Sequence, residues 1–130
     1  YALRRVPNFV PALDQLGLDR ATQALLVHPR LSKGGLVIIA GETGQGKSTT
    51  AAATIRARLT QLGAFCLTVE DPPELPLNGK HGERGMCVQT DARSGSFSDA
   101  MRGAMRTGRC RAASIIHWPA SRGLRAGRPS

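Results

Sequence analysis

Leu36-Val37-Ile38-Ile39-Ala40-Gly41-Glu42-Thr43-Gly44-Gln45-Gly46-Lys47-Ser48-Thr49-Thr50 is the stretch on which the reading of the whole chain turns. Its apolar opening, Leu36 to Ala40, has no alternation and fits a strand buried on both faces, as in a parallel sheet. Glycines at 41, 44 and 46 then let the backbone turn tightly, so that successive N–H groups can converge on one concave nest. Beyond Lys47, Ile55, Leu59 and Leu62 recur at helical spacing, and Gly63 stands where a left-handed C-terminal cap is wanted. Residues 41–48 satisfy G-x-x-x-x-G-K-[ST] in full, between a strand pattern and a helix pattern. A chance glycine-rich turn would not need both flanks.

That order of residue types suits a nucleotide's phosphates. The backbone of Gly41, Glu42, Thr43, Gly44, Gln45 and Gly46 would cradle phosphate oxygens, and Thr49 closes the contacting stretch after Lys47 and Ser48. Lys47 would reach the β- and γ-phosphates as a point charge, which gives it a catalytic part. The Ser48 hydroxyl is the expected ligand to Mg²⁺. The helix beyond the loop points its positive end at the same anion. Mg²⁺-nucleotide binding is therefore the first expectation.

A second buried strand reads from Ala64 to Val69 and is stopped by Pro72-Pro73. Strand, helix and strand should form a parallel, right-handed unit. The carboxyl ends of both strands then share one edge, which brings Glu70 and Asp71 toward the loop. Glu70 is the candidate to orient the attacking water, and Asp71 to hold the metal. The plain alternative is that two acids end a strand where it meets water.

Elsewhere the chain is less specific. Residues 3–11 read as extended around Pro7 and Pro11. Residues 12–27 suit helix, split at Gly17 and capped by Asp14 or Asp19, with Pro29 ending it. Residues 74–85, rich in Pro, Gly, Asn and charge, read as a loop, and Met86–Gln89 as a short strand. Ser96 can cap a helix with Asp99 three residues on, whose Met101, Ala104 and Met105 would face the core. Ala112–Ile116 fits a further strand, and Pro119, Gly123, Gly127 and Pro129 break any regular structure beyond it. The domains expected are a linker and helical segment at 1–34, a partial nucleotide-binding core at 35–107 and a basic irregular tail at 108–130.

Charge and cysteines exclude more than they propose. The chain has 130 residues and a formal net charge of +9. Residues 1–99 carry 11 Lys/Arg against 9 Asp/Glu, so the excess lies in seven arginines after residue 100. Such a tail attracts phosphate backbones, but Trp118 is its single aromatic and no stacking series exists. Specific nucleic-acid binding is not expected. Cys66, Cys87 and Cys110 have no C-x-x-C spacing and no histidine at ligand distance in sequence, so a zinc site is not expected either. Cys66 reads as core. With no long apolar run and no charged-then-apolar leader, a cytoplasmic protein is the default expectation.

Taken together, residues 35–50 resemble the Walker A segment of the type II/IV secretion and type IV pilus motor ATPases. Leu67-Thr-Val-Glu-Asp-Pro-Pro-Glu74 is similar to the family's aspartate box, and Ser96–Arg106 to the helix that comes after it. Arg4-Arg5-Val6-Pro7 and Leu16-Gly17-Leu18 resemble the segment leading into the motor domain. Pro72-Pro73 with Leu77-Asn78-Gly79 is similar to plasmid thin-pilus members. The resemblance covers roughly residues 3–107. It implies a RecA-like α/β fold with a parallel sheet core, ATP with Mg²⁺, and Glu70 as activator of water. It also implies a homo-hexameric ring with active sites between subunits, working against platform proteins at the inner membrane.

The departures are equally specific. Ser114–Ala120 stands where the family has an apolar strand followed by Gly-Glu, and the later histidine box has no counterpart. The arginine-rich, acid-free stretch after Gly108 fits no family pattern, which leads to the expectation of a truncated or frameshifted reading frame. Weak or absent hydrolysis would result. A small P-loop kinase or transferase and a non-catalytic ring subunit are the alternative readings.

Overall fold

The computed structural model describes residues 9–33, 35–42, 44–70, 73–91 and 112–116, together with 99, 102, 103 and 106. They form an α/β layer in which one long helix packs on one face of a four-stranded sheet.

The N-terminal part holds three short helical pieces, broken at Gly17 between the first two as its position predicts, the third being a 3₁₀ turn that begins at Pro29 (Pro29–Lys33). A 3₁₀ turn at Leu13–Leu16 ends on Gly17, which adopts φ 74°. Helix α1, Arg20–Leu26, starts at Asp19, whose carboxylate accepts the Thr22 N–H at 2.6 Å. Hydrogen bonds from Thr22, side chain first and backbone second, hold the Asp19 pKa below the ordinary value. This cap is fully formed above the carboxylate range and is lost as pH falls through it.

Helix α2, Lys47–Leu62, is the organising element. Its inner face carries Ala52, Ala53, Ile55 and Leu59, all buried against Cys66 and Cys87 of the sheet and Leu75 and Leu77 of a loop. Each large side chain removed from water there contributes about 1.5–3 kcal/mol. Two arginines tie the N-terminal pieces to it. Arg56 donates to the Val10 carbonyl at 2.5 Å, and Arg58 to the carbonyls of Leu26 at 2.9 Å and His28 at 3.2 Å. The helix stops at Gly63, whose φ of 61° and ψ of 121° lie outside the left-handed helical region expected of it, though φ is positive.

Strands β1 (Phe65–Glu70), β2 (Gly79–His81), β3 (Gly85–Asp91) and β4 (Ala112–Ile116) are ordered β2-β3-β1-β4. β1 is central, parallel to β3 and to β4, while β2 pairs antiparallel with β3. The sheet is thus mixed, with a parallel core. β3 is longer than Met86–Gln89, and the stretch read as a loop contains β2. Gly79-Lys80-His81 gives no apolar signal, so β2 is defined by its pairing with β3 (Gly79 with Cys87, His81 with Gly85).

The largest departure concerns Leu36–Ala40. These residues form no strand, and Leu36, Val37 and Ile38 are 81%, 49% and 76% exposed. Apolar composition supplies a drive to burial but not a partner. β1 is already flanked by β3 and β4, so the run has no place beside it. Backbone groups without a ladder stay in water, where they remain satisfied. The expected parallel unit built on residues 36–40 is therefore replaced by one built on β1 and β3.

The seat of α2 on the sheet depends on close backbone approach at Gly85. A Cβ there would meet the Leu59 carbonyl oxygen at 2.5 Å and the His81 carbonyl as well. Gly85→Ala should therefore cost about 1–3 kcal/mol and lower the thermal midpoint by several degrees, read by circular dichroism. An unchanged midpoint would show that the helix end can shift freely.

Candidate functional site

The loop ahead of α2 is built from glycines used for their backbone freedom. Gly44 and Gly46 adopt φ of 88° and 82°, a region that side chains disfavour. Gln45 N–H donates to the Glu42 carbonyl at 3.3 Å, closing a turn, and Thr50 N–H donates to Gly46 O at 2.9 Å as the first helical bond. Lys47 folds back over this turn. Its Nζ donates to the carbonyls of Gly41 at 2.5 Å and Glu42 at 2.8 Å. An ammonium has three donors, and two of them hold the loop closed. Gly41, Glu42, Gly44, Gln45 and Gly46 are exposed, whereas Lys47, Ser48 and Thr49 are half-buried in the first turn of α2. Thr43 lies outside the described residues. An exposed turn with a lysine across it, at the N-terminal end of a 16-residue helix, is chemically suited to an anion.

The direction of α2 relates this loop to the sheet. The far end of the helix meets the start of β3, where Leu59 lies against Gly85 and Thr60 against Gly82. β1 runs parallel to β3, so both strands finish at the opposite edge of the sheet. Glu70 is the last residue of β1, 2% exposed.

On the helix-facing side of the sheet, register pairs Cys66 with Cys87, Thr68 with Gln89 and Glu70 with Asp91. The row changes from apolar to polar to charged toward that edge. Cys66 and Cys87 are buried thiols. A hydrogen bond with Cys66 lowers the Cys87 pKa, opposed by burial and by the Glu70 charge. The carboxylate of Glu70 is engaged by neighbours. Its Oε1 accepts the Thr68 hydroxyl at 2.6 Å and Gln89 Nε2 at 3.0 Å. A buried carboxylate needs such donors, since an unpaired one costs several kcal/mol.

The hydrogen bonds of Lys47 and of Glu70 run to separate partners, and the two side chains are not bonded to each other. Asp71 lies outside the described residues, as do Ser96, Met101, Ala104 and Met105 of the expected helix. Residues 99, 102, 103 and 106 are helical. Sequence reasoning gave no role to Thr68, although it lies within Leu67–Glu74, or to Gln89, which no motif marks. The signal available was register: polar residues two positions from Glu70 and directly across from one another.

No group of three or more His, Cys, Asp or Glu side chains able to hold a metal occurs among the described residues. No helix among them is long and apolar enough to cross a membrane.

The family described as "Type II/IV secretion system protein" matches residues 2–108. The chain is 35% identical over 104 residues to the type IV pilus ATPase PilU of Pseudomonas aeruginosa, covering 80% of this chain and 25% of that protein. It is 32% identical over 105 residues to the type IV pilus retractation ATPase PilT of the same organism, covering 79% and 28%. Against the Escherichia coli protein YggR the identity is 42% over 73 residues, covering 56% and 21%. The chain thus spans about a quarter of the length of the curated relatives it matches. No solved structure matches it. With more than half of its residues matched, the chain belongs to the type II/IV secretion system protein family.

Proposed function

We propose that this chain is a nucleotide-binding piece of a secretion or pilus motor ATPase, with a RecA-like P-loop core that takes Mg²⁺-ATP at the N-terminal end of α2. The observation that carries this reading is the closed turn of residues 41–46, with positive φ at Gly44 and Gly46 and Lys47 bonded across it. Backbone in that form can aim several N–H groups at one anion, and a lysine already facing inward supplies the compensating charge. Ser48 would hold Mg²⁺, with Asp71 as a second ligand through water. When bound, the metal withdraws charge from the phosphate oxygens.

The protein's own residues then divide the work. Lys47 exchanges one carbonyl for a phosphate oxygen. Gly41 to Thr49 orient the phosphate chain. Glu70 accepts a proton from water at the edge of β1. The relatives' names support ATP as the nucleotide and a pilus setting, since PilU and PilT are named as type IV pilus ATPases. A hexameric ring acting on inner-membrane platform proteins from the cytoplasmic side belongs to the same reading. So do the division of the chain into a linker, a core at 35–107 and a basic tail.

Competition against a fluorescent ATP analogue in the presence of Mg²⁺ tests this. ATP should displace the probe at least about tenfold more effectively than AMP, because only ATP offers β- and γ-phosphates to Lys47. Equal displacement by the two, or no displacement by either, would contradict a phosphate-directed site.

A further inference from the structure

We infer that Gln89 is a positioning residue, whose single amide fixes the Glu70 carboxylate and the Leu75–Asn78 segment to each other. Every hydrogen-bonding capacity of the amide is used. Nε2 donates to Glu70 Oε1 at 3.0 Å and to the Leu75 carbonyl at 2.8 Å. Oε1 accepts the N–H groups of Leu77 at 3.0 Å and Asn78 at 2.8 Å. A primary amide has two protons and two lone-pair directions, so nothing is left over. Its orientation is set by the same four partners. A flipped amide would set its NH₂ against two N–H donors and its oxygen against a carboxylate and a carbonyl.

The backbone of Gln89 joins in, its N–H donating to Asn78 Oδ1 at 3.1 Å. Asn78 and Gln89 therefore hold one another twice. The segment thus anchored includes Leu77, which is fully buried under α2 with Leu75. On the other side, Thr68 and Gln89 sit across from each other in register and both donate to the same oxygen of Glu70. Two donors on Oε1 fix the side chain in one rotamer and leave the second oxygen as the one able to take a proton. A pre-placed base loses no rotamer freedom when water arrives, which is what orientation contributes to a rate.

The contact itself stands on geometry. Its relevance to hydrolysis rests on the reading of Glu70 as the water-activating carboxylate. Failure of that reading would appear as unchanged turnover on removing the carboxylate, and it would leave the positioning of Glu70 intact.

The test is solution NMR on the labelled 130-residue chain without nucleotide, comparing wild type, Gln89→Glu and Gln89→Met. In the wild type, the Gln89 Nε2 protons should exchange slowly and show hydrogen-bond couplings to the Glu70 carboxyl carbon and the Leu75 carbonyl. Gln89→Glu keeps an acceptor for Leu77 and Asn78 but offers Glu70 a second carboxylate, beside Asp91, in place of a donor. Glu70 couplings should then collapse to rotamer averages, with Leu77 and Asn78 amide exchange within about threefold of wild type. Gln89→Met fills the space with neither group, and both signatures should be lost, amide exchange rising roughly tenfold or more. Freely exchanging Gln89 Nε2 protons in the wild type, a measurement that needs no variant to fold, would overturn the inference. So would Glu70 couplings that are unchanged in a folded variant.

Discussion

Replacing Glu70 by Gln should spare nucleotide affinity and lower turnover by about 10²–10⁴-fold, the usual contribution of a positioned general base. The substitution keeps the shape of the side chain and an oxygen for the Thr68 hydroxyl to donate to. What it removes is the ability to take a proton at the edge of β1. Burial sharpens the expectation, because Glu70 is 2% exposed and shares one face of the sheet with Thr68 and Gln89. A carboxylate that merely ended a strand in water would have no need of two donors. Turnover is best read in a graft of residues 1–107 onto the C-terminal half of a pilus motor ATPase. Equal rates with Glu and Gln would reduce Glu70 to a structural acid.

The second large effect concerns the 130-residue chain alone. Its phosphate release should fall orders of magnitude below about 1 s⁻¹, the low end of ordinary enzyme turnover. The strand beside β1 on the side away from β3 is β4, and its residues Ala112-Ala-Ser-Ile-Ile116 include no acid. Compensation of charge on a transferring phosphoryl group then lacks a carboxylate to hold the metal from that strand. A chain acting alone also has no neighbour to bring an arginine to the γ-phosphate, a contribution worth about 10³–10⁵-fold where such a residue operates. Exposed Leu36, Val37 and Ile38 add a patch that favours association over a single working form. Turnover near 1 s⁻¹ that disappeared in Lys47→Ala would mean that Asp71 supplies the missing charge and that the chain is a working ATPase.

What could be read from the sequence depended on whether the determining signal was local. Helix α2 was legible because its start, apolar spacing and stop all lie within residues 46–63. β1 was legible because the largely apolar run Ala64–Val69 is followed, after two acids, by two prolines. Leu36–Ala40 carried the same apolar signal and failed, since pairing depends on which sheet edges are open rather than on composition. β2 was hidden for the converse reason: Gly79-Lys80-His81 has no strand character of its own and is ordered by β3. Cys87 had no meaning alone and became core once register set it against Cys66. For the candidate site, the glycine-rich loop was marked by its motif, and Glu70 by its place at the end of β1. Gln89 was invisible, because it is one of three consecutive polar residues ending β3 and becomes significant only when parallel pairing sets it across from Thr68.

The central claim, that the turn ahead of α2 is a phosphate site, is tested most directly by titrating the chain with a fluorescent ATP analogue before and after Lys47→Ala. The lysine's two carbonyl contacts lie within the loop, and the rest of the turn is held by its own backbone bonds and glycine conformations. Losing one charge-assisted contact of about 1.5–3 kcal/mol should weaken ATP binding roughly 10- to 100-fold, with AMP affected far less. An affinity for ATP that is unchanged in a folded Lys47→Ala chain would contradict the account.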